Sequence, residues 1–246
     1  MAHGSQIRPH SERADLTRAR ILDAAVNEFS ENGLAGARTE HIAEAAGVNK
    51  ALLYYYFKGK DALYQAALES VARGALQSSL AVLESGRSAG ERIVRFMLDH
   101  FDRIHSQRVF QSLMQQEMMR LRSGEKNALD AMIQNVFRPM TMRLLELFEE
   151  GKRTGELIQI DEWQMIYSAL GANVFYFLSS PMIGMLTGRN PLERGALEFR
   201  RKAAIEFLGH AIFTDRSHGA EVAARVLDGT PMPESGKFNL FERKAK

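Results

Sequence analysis

Apolar residues recur at intervals of three and four along most of this chain, which is the spacing of one face of an α-helix. The first such segment runs from about Thr17 to Asn32, and its apolar face consists of Ile21, Leu22, Ala25, Val26 and Phe29. Gly33 follows directly and is predicted to end the helix. Alternating runs rich in Val, Ile and Thr are nearly missing, and the best of them, LIQID at 157–161, is interpreted as a linker. The pattern therefore predicts an all-α fold.

Two short helices are predicted next. Thr39 precedes EHIAEAA and can cap that helix by accepting hydrogen bonds from its first backbone N–H groups. Gly47 ends the helix, and Asn49 can cap the one that follows, KALLYYYF. Because so few residues separate them, the two helices are expected to be joined by a tight turn.

Longer helices are predicted beyond Lys60, at about 60–85, 89–105, 108–122, 125–154, 163–188 and 190–213. Three of them carry start signals, a polar cap followed by Glu or Gln: Ser88 with Glu91, Asp161 with Gln164, and Asn190 with Pro191 and Glu193. Pro139 is expected to kink the helix at 125–154 or to split it in two. From Asp215 onward the chain is polar and turn-rich, so we expect a poorly ordered tail with room for a short helix at 219–228.

The segment from Trp163 to Gly188 has no charged residue and is long enough to cross a bilayer. It also contains several polar or helix-breaking residues: Gln164, Ser168, Asn173, Ser179, Ser180 and Pro181. A helix that is buried on several sides, or that faces a second subunit, has the same composition. We favour that interpretation, and a membrane span is the alternative.

Composition narrows the choice of function. The chain has 246 residues, 45% of them hydrophobic, which suffices for a substantial core. The formal net charge is only +2, so any surface for nucleic acid must be local. There is no cysteine, which excludes disulfides, thiolate zinc sites and cysteine nucleophiles and fits a reducing compartment. The N-terminal MAHGSQIRPHSERAD has no apolar run, so we expect no signal peptide and a cytoplasmic location.

Signatures of common enzyme sites are missing from the sequence, including the P-loop, G-x-S-x-G, H-E-x-x-H and G-x-G-x-x-G. The segment LDHFDRIH at 98–105 suggests a metal site. However, His100 and His105 are five residues apart, whereas two ligands on one helix face are four apart. We expect no enzyme, no metal site and no cofactor.

Three consecutive tyrosines, Tyr54, Tyr55 and Tyr56, occupy the middle of GVNKALLYYYFKGK. Successive residues of a helix point about 100° apart, so the three rings cannot all face one core. Three lysines and no acid lie between Gly47 and Lys60. Phenolic hydroxyls and ammonium groups are good donors to phosphate, so this segment indicates a nucleic-acid surface. Partial packing against the first helix is the alternative for Tyr54 and Tyr56.

Residues 39–57 carry the pattern of a helix-turn-helix. Apolar residues lie where they can meet between the two helices: Ile42, Ala46, Val48, Leu53 and Phe57. Ala43 is small where the helices would cross, and Gly47 allows a sharp turn with positive φ. A plain helical hairpin has a similar pattern, but the tyrosines and lysines favour DNA recognition through the second helix.

Residues 17–63 resemble the DNA-binding domain of the TetR family of bacterial transcriptional regulators. The resemblance rests on T-x-x-I-A-x-x-A-G-V, from Thr39 to Val48, followed by KALLYYYFKGK. It implies a three-helix DNA-binding domain at 15–62, preceded by a flexible arm at 1–14. It also implies a helical ligand-binding and dimerisation domain at 63–214, before the tail at 215–246.

The resemblance also implies roles for individual residues. Thr39 would cap its helix and contact a phosphate, and Asn49 would lie at the start of the recognition helix. Residues facing the major groove would be Lys50, Ala51 and Tyr54, and residues holding the DNA backbone would be Tyr55, Tyr56 and Lys60. Leu52 departs from the family, where a phosphate-binding threonine is frequent at this position, so one backbone contact is in doubt. Tyr56 replaces a frequent histidine but can still donate a hydrogen bond.

For the larger domain the resemblance implies a homodimer formed by helices 163–188 and 190–213, and a pocket for a small effector. Methionines and aromatic residues suit an apolar or aromatic ligand. The candidates are Met97, Phe101, Met114, Met118, Trp163 and Tyr167, and ordinary core packing is the alternative for each. The sequence thus predicts a repressor that binds operator DNA and is released by a ligand. A membrane- or lipid-associated helical protein is the alternative function.

Overall fold

The computed structural model describes residues 10–122 and 129–234 of the chain. In these two ranges the secondary structure is helical, as predicted, and an isolated bridge between Leu157 and Phe213 is the only extended pairing. The helices are α1 His10–Gly36, α2 Thr39–Ala45, α3 Lys50–Tyr56, α4 Lys60–Leu83, α5 Ala89–Ser106, α6 Arg108–Arg122, α7 Leu129–Met132, α8 Arg138–Arg153, α9 Glu162–Leu178, α10 Ser180–Thr187, α11 Arg194–Ile212 and α12 Arg216–Asp228.

The chain divides into two compact units. The first comprises residues 1–73 and 109–132, and the second comprises residues 74–108 and 133–246. The boundary therefore falls inside α4, eleven residues beyond the start of the larger domain expected from the sequence.

The first unit contains α1, α2 and α3. Its core is formed by side chains that are fully buried: Ile21, Phe29, Ile42, Leu53 and Leu63. The helix α1 begins at His10, inside the arm predicted at 1–14, whose first nine residues lie outside the described ranges; residues 12–16 are mostly exposed. Gly33 breaks its helical geometry with a φ of 66°, as expected from a glycine at that place.

In the same unit, α6 is attached to α1 and α4 by buried polar bonds. The hydroxyl of Ser112 donates to the carbonyl of Ser30 at 3.0 Å. The hydroxyl of Tyr64 donates to Glu117 at 2.7 Å, and burial together with this carboxylate raises the pKa of Tyr64. These bonds fix α6 by directional contacts in addition to apolar packing.

The second unit is built around α5, whose apolar face is buried along its whole length. Residues from α8, α9, α11 and α12 pack against it to form the main core. Arg201 of α11 makes a bidentate bond to Asp102 of α5, at 2.7 and 2.8 Å, and also donates to the carbonyl of Thr230. One arginine therefore ties α11 to α5 and to the end of α12.

The uncharged segment does not form one helix. It divides at Ser179 into α9 and α10, which are inclined by 60° to each other. Pro181 lies in the first turn of α10, where a proline is tolerated. In the ranges that the structure describes, no single helix is both long enough and apolar enough to cross a membrane, although this bent pair passes the test of length and composition.

Two other boundaries differ from prediction. α11 begins at Arg194, because the side chain of Asn190 accepts from the N–H of Leu192 and forms a local turn instead of a helix cap. The predicted helix at 125–154 is divided, as Pro139 suggested, into α7, a π-helical turn at Ile133–Phe137, and α8. Its first residues, up to 128, lie outside the described ranges.

The C-terminal segment differs most from expectation. Residues 216–228 form α12, which is capped by the side chain of Asp215 and packs onto α11 and α5. The crossing with α11 is very close at two glycines: a Cβ on Gly219 would lie 2.0 Å from the carbonyl oxygen of Gly209. The predicted tail thus contributes to the core as far as Val226. Residues 235–246 lie outside the described ranges.

Candidate nucleic-acid interface

The turn between α2 and α3 has the geometry that the sequence indicates. Gly47 has a φ of 63°. Its N–H donates to the carbonyl of Glu44 at 3.0 Å, and the N–H of Val48 donates to the carbonyl of Ala43 at 2.9 Å. This pair of bonds is the Schellman motif, which requires a left-handed residue at the position of Gly47. It ends α2 sharply and directs the chain into α3.

The helix α3 presents most of its surface to solvent. Asn49 caps it as predicted, because its side chain accepts from the N–H of Leu52 at 2.8 Å. Leu53 is fully buried and anchors the helix. Ala51 and Leu52 are exposed, as are Lys50, Tyr54 and Tyr55. A short helix anchored by one apolar residue can offer its remaining faces to a groove of DNA.

Thr39 takes a different place from the one predicted. It is the first residue of α2 and is buried, and the cap position belongs to Arg38, whose side chain makes no capping bond. The hydroxyl of Thr39 lies 3.3 Å from the hydroxyl of Tyr54 and donates to Glu40 at 3.3 Å. The side chain of Glu28 on α1 accepts from the N–H of Arg38 at 2.9 Å and so takes the place of the missing side-chain cap. Thr39 thus links α2 to α3.

Lys50 is held by two neighbours. Its ammonium group donates to the carboxylate of Glu40 on α2, and it lies 5.8 Å from the centre of the Tyr54 ring. The hydrogen bond from Lys50 lowers the pKa of Glu40 to about 2. The start of α3 therefore carries an ion pair, where the sequence suggested an unopposed lysine.

Tyr55 is the most exposed of the three tyrosines, with 80% of its surface accessible, compared with 40% for Tyr54. Tyr56 is half-buried, and its ring packs edge-on against Tyr55 at 5.5 Å. Lys60, at the start of α4, donates to the carbonyl of Ala35 at 3.1 Å. The structure thus brings the eight predicted DNA-binding residues together on α2, α3 and the start of α4.

Sequence reasoning missed Glu40. Its partner Lys50 lies ten residues away on another helix, and no spacing rule along the chain connects two such positions. The only available signal was that Glu40 occupies the first turn of α2, where acids are favoured. The segment between Gly47 and Lys60 contains no acid, but the surface around it does, because Glu40 of α2 lies beside Lys50.

The six residues predicted to bind a ligand do not gather at one place. Met114 and Met118 belong to the first unit, where Met114 is buried and Met118 is exposed. Phe101 packs in the core of the second unit against Phe177, with 5.1 Å between ring centres. Trp163 and Tyr167 stack on each other at the surface of α9.

Met97 alone of the six lines an apolar cavity of the second unit. This cavity, which we call the α9–α11 cavity, has a volume of about 440 Å³. Met97 of α5 contributes to it, and the rest of its lining comes from α9 and α11: Met165, Ser168, Ala169, Ala172, Asn173, Arg200, Ala204, Ile205, Phe207, Leu208 and Ala211. Most of the lining is apolar, with Ser168, Asn173 and Arg200 as the polar exceptions.

The same helices expose an unusual number of large apolar side chains. Those with about half or more of their surface accessible are Tyr167, Phe175, Leu178, Met182, Met185, Leu186, Phe199 and Phe207. Several large exposed apolar side chains on neighbouring helices are characteristic of an interaction surface. The faces of α9, α10 and α11 therefore have the composition of an interface.

The described residues include no group of three or more side chains placed to hold a metal ion. His100 is packed between helices, and its ring lies 3.4 Å from the amide nitrogen of Asn173. Burial, assisted by the charge of Arg103, lowers the pKa of His100 to about 3. The imidazole is therefore neutral at physiological pH.

Comparison with known proteins finds relatives of the N-terminal part of the chain. Residues 21–67 match the family described as bacterial regulatory proteins, tetR family. The repressor NicS of Pseudomonas putida is 34% identical over 96 residues, which cover 38% of this chain and 45% of that protein. The regulator RutR of Escherichia coli K12 is 53% identical over 51 residues, covering 21% of this chain and 24% of that protein. The match therefore spans less than half of either relative.

The fold extends beyond that match. A transcriptional regulator from Saccharomonospora viridis, whose crystal structure contains choline, superimposes with a TM-score of 0.65. The superposition covers 84% of this chain and 100% of that structure, at 20% sequence identity. At this identity the likeness concerns the fold, a helix-turn-helix domain followed by a larger helical part.

Proposed function

We propose that this chain, whose residues 21–67 match the tetR family of bacterial regulatory proteins, is a transcriptional repressor. It binds operator DNA as a homodimer and is released by a small, mainly apolar ligand. It acts in the cytoplasm and catalyses no reaction. In this proposal residues 15–62 bind DNA, and the helices that follow bind the ligand and form the dimer.

One observation carries this proposal: α3 is anchored by Leu53, and it exposes Lys50, Ala51, Tyr54 and Tyr55 on one short helix. Exposed tyrosines are costly to a protein that has no use for them, because each ring leaves apolar area in water. On DNA the same rings gain contacts and their hydroxyls donate to phosphate.

In this proposal Lys50, Ala51 and Tyr54 enter the major groove. Tyr55, Tyr56 and Lys60 hold the DNA backbone, and Thr39 supports Tyr54 through the contact between their hydroxyls. Asn49 sets the start of the helix. Sequence specificity then comes from the N-terminal end of α3, and register comes from the phosphate contacts.

Two copies are needed, because so short a helix reads few bases. A two-fold dimer places two recognition helices in successive major grooves, about 34–36 Å apart. The exposed apolar faces of α9, α10 and α11 support an interface of this kind. Aromatic and methionine side chains predominate there, as they do at the centre of protein interfaces.

The α9–α11 cavity supports a ligand site in the second unit. The related fold from Saccharomonospora viridis holds choline, so this architecture accommodates small molecules. A ligand releases DNA if it binds more tightly to the state that does not fit the operator. Met97 is the predicted ligand-binding residue that lines the cavity, while Phe101, Met114, Met118, Trp163 and Tyr167 lie elsewhere.

The test is fluorescence anisotropy of the purified full-length protein on labelled duplexes from upstream of its own gene. A scrambled duplex of equal length serves as competitor, and the titration is repeated at several salt concentrations. We expect tight binding that resists the competitor, with log K falling against log salt by about 0.9 per phosphate contact.

Weak binding that scrambled DNA removes equally well leaves two explanations, a distant operator or a helical hairpin without sequence preference. Selection of bound fragments from the whole genome separates them. Failure to enrich any sequence in that selection would contradict the proposed function.

A further inference from the structure

The α9–α11 cavity contains one positive charge that lacks a counter-ion. Arg200 of α11 lines the cavity, and no carboxylate in the described ranges pairs with it. Its Nη2 donates weakly to the carbonyl of Ala172 at 3.4 Å, and its guanidinium lies 5.5 Å from the centre of the Tyr176 ring. Its Nε is buried and has no hydrogen-bond partner.

A buried donor without a partner costs free energy, and it costs more when the group is charged. Arg201, the next residue of α11, is buried, and its bidentate bond to Asp102 offsets the free-energy cost of burying its charge. Arg200 has no such acid. Its guanidinium therefore offers an unused planar fork that matches a carboxylate.

Apart from Ser168 and Asn173, the rest of the cavity lining is apolar and suits a hydrocarbon. Its floor is Met97, and its walls are mainly alanine and aliphatic side chains. Asn173 is buried at one side, where its amide donates to the carbonyl of Met97 at 3.2 Å. A volume of about 440 Å³ lies within the usual range for a small-molecule site.

We propose that the α9–α11 cavity binds an amphipathic monocarboxylate, with its hydrocarbon part between α9 and α11 and its carboxylate on Arg200. The regulatory role of this site rests on the proposed function. The site itself narrows the class of effector from any apolar molecule to an organic acid. The hydrocarbon supplies affinity through burial, and Arg200 selects acids from neutral molecules of the same length.

The test uses calorimetric titration of the full-length protein in the absence of DNA. The probes are hexanoate, octanoate, decanoate and dodecanoate below their micelle concentrations, with decanol as the uncharged match for decanoate. We expect at least one acid to bind, and decanoate to bind about tenfold to hundredfold more tightly than decanol, the range for a hydrogen bond to a charged group.

Arg200→Gln is expected to remove the preference for the acid while decanol binding is unchanged, and Arg200→Lys to retain part of it. Arg194→Gln is the matched control, because Arg194 is an exposed arginine of the same helix, paired with Glu198 at 2.8 Å. Sedimentation velocity of each variant tests the other occupant of the cavity, a side chain of a second subunit.

Three results would overturn the proposal: no acid of the series binds, decanol binds as well as decanoate, or Arg200→Gln dissociates the dimer and leaves acid binding unchanged. Each leaves operator binding measurable by anisotropy, so failure of this site is distinguishable from failure of the proposed function. Operator release by the acid that binds, and by none of the others, then ties the site to regulation.

Discussion

Lys50 at the start of α3 donates a hydrogen bond to Glu40 in the first turn of α2. The surface around the N-terminal end of α3 therefore carries an acid as well as a base. Because Lys50 lowers the pKa of Glu40 to about 2, the carboxylate stays ionised at any pH at which the protein is expected to act. If α3 reads DNA as proposed, Lys50 meets DNA with its charge balanced by Glu40 and its ammonium group held by that hydrogen bond. Both effects favour a specific base contact over general attraction to phosphate.

Replacing Glu40 by Gln should free Lys50 for phosphate. We expect tighter binding to scrambled duplexes and a salt dependence that is steeper by about 0.9 in log K against log salt, the value for one added phosphate contact. Anisotropy at several salt concentrations measures both. Glu44→Gln is the control, since it removes an exposed carboxylate from the same helix; equal slopes for the two variants would contradict the role of the ion pair.

Tyr55→Phe should weaken binding to every sequence alike, because the lost hydroxyl is expected to contact the backbone of DNA. The loss should be about 1 kcal/mol, the contribution of one hydrogen bond. Anisotropy on operator and scrambled duplexes provides the comparison. Tyr167→Phe removes a similarly exposed hydroxyl from α9 and should leave binding unchanged; a loss confined to the operator would mean that Tyr55 reads bases.

Phe199→Asp should convert the dimer to monomers, because 76% of the surface of Phe199 is exposed among other apolar side chains of α9, α10 and α11. A charge buried at the centre of an interface without a partner is strongly unfavourable. Sedimentation velocity gives the result. Met142→Asp introduces the same charge on α8, at a half-exposed methionine outside those helices, and should leave the dimer intact. Dissociation by both variants alike would locate the interface elsewhere.

Stability should fall on acidification because of His100. Its pKa is about 3 in the folded protein, compared with 6.5 in the unfolded chain, so the unfolded chain binds more protons between these values. The stabilisation is fully present above pH 6.5 and is lost as the pH falls toward 3. Each pH unit in this window should cost on the order of 1 kcal/mol.

Urea unfolding at a series of pH values tests this titration. His100→Gln should flatten the dependence, while His210→Gln, which changes an exposed histidine of α11, should leave it as it is. Parallel curves for the wild type and His100→Gln would show that other groups cause the loss at low pH.

Gly219→Ala should destabilise the protein, since the added Cβ would lie 2.0 Å from the carbonyl of Gly209 and 2.9 Å from the ring of Phe213. Overpacking of this kind costs about 1–3 kcal/mol. Gly74→Ala in the interior of α4 meets nothing within 4 Å and should stabilise by about 0.5–1 kcal/mol, as expected for a helix interior. Urea midpoints of the two variants should therefore move in opposite directions, and a neutral Gly219→Ala would mean that α12 yields easily.

The helix-turn-helix could be predicted from the sequence because local chemistry specifies it. The left-handed turn at Gly47, the cap at Asn49 and the apolar anchor at Leu53 each follow from one residue and its near neighbours. By contrast, α12 depends on the approach of Gly219 to Gly209, and glycines contribute nothing to a hydrophobic pattern. A turn-rich composition near Asp215 therefore looked like a tail.

One predicted helix start was wrong because the capping side chain makes a different hydrogen bond. Asn190 forms a turn with the N–H of Leu192, so a strong cap signal lies four residues before the helix that it seemed to begin. The six predicted ligand residues stay a prediction, and only Met97 among them lines the α9–α11 cavity. Methionine and aromatic content does not distinguish a core position such as Phe101 from an exposed one such as Tyr167. The charge in the cavity, Arg200, has no sequence signal because its distinguishing feature is the missing partner.

The recognition helix has seven residues, and a peptide of that length does not stay helical in water because nucleation outweighs so few hydrogen bonds. It keeps its shape only through Leu53, the Asn49 cap and the turn at Gly47. If α3 reads DNA as proposed, affinity for DNA is a cooperative property of the folded unit that contains it, and a peptide with the sequence of α3 alone should not bind. In a urea titration, operator binding should then disappear as this unit unfolds, so that its folding stability limits the conditions under which DNA can be read.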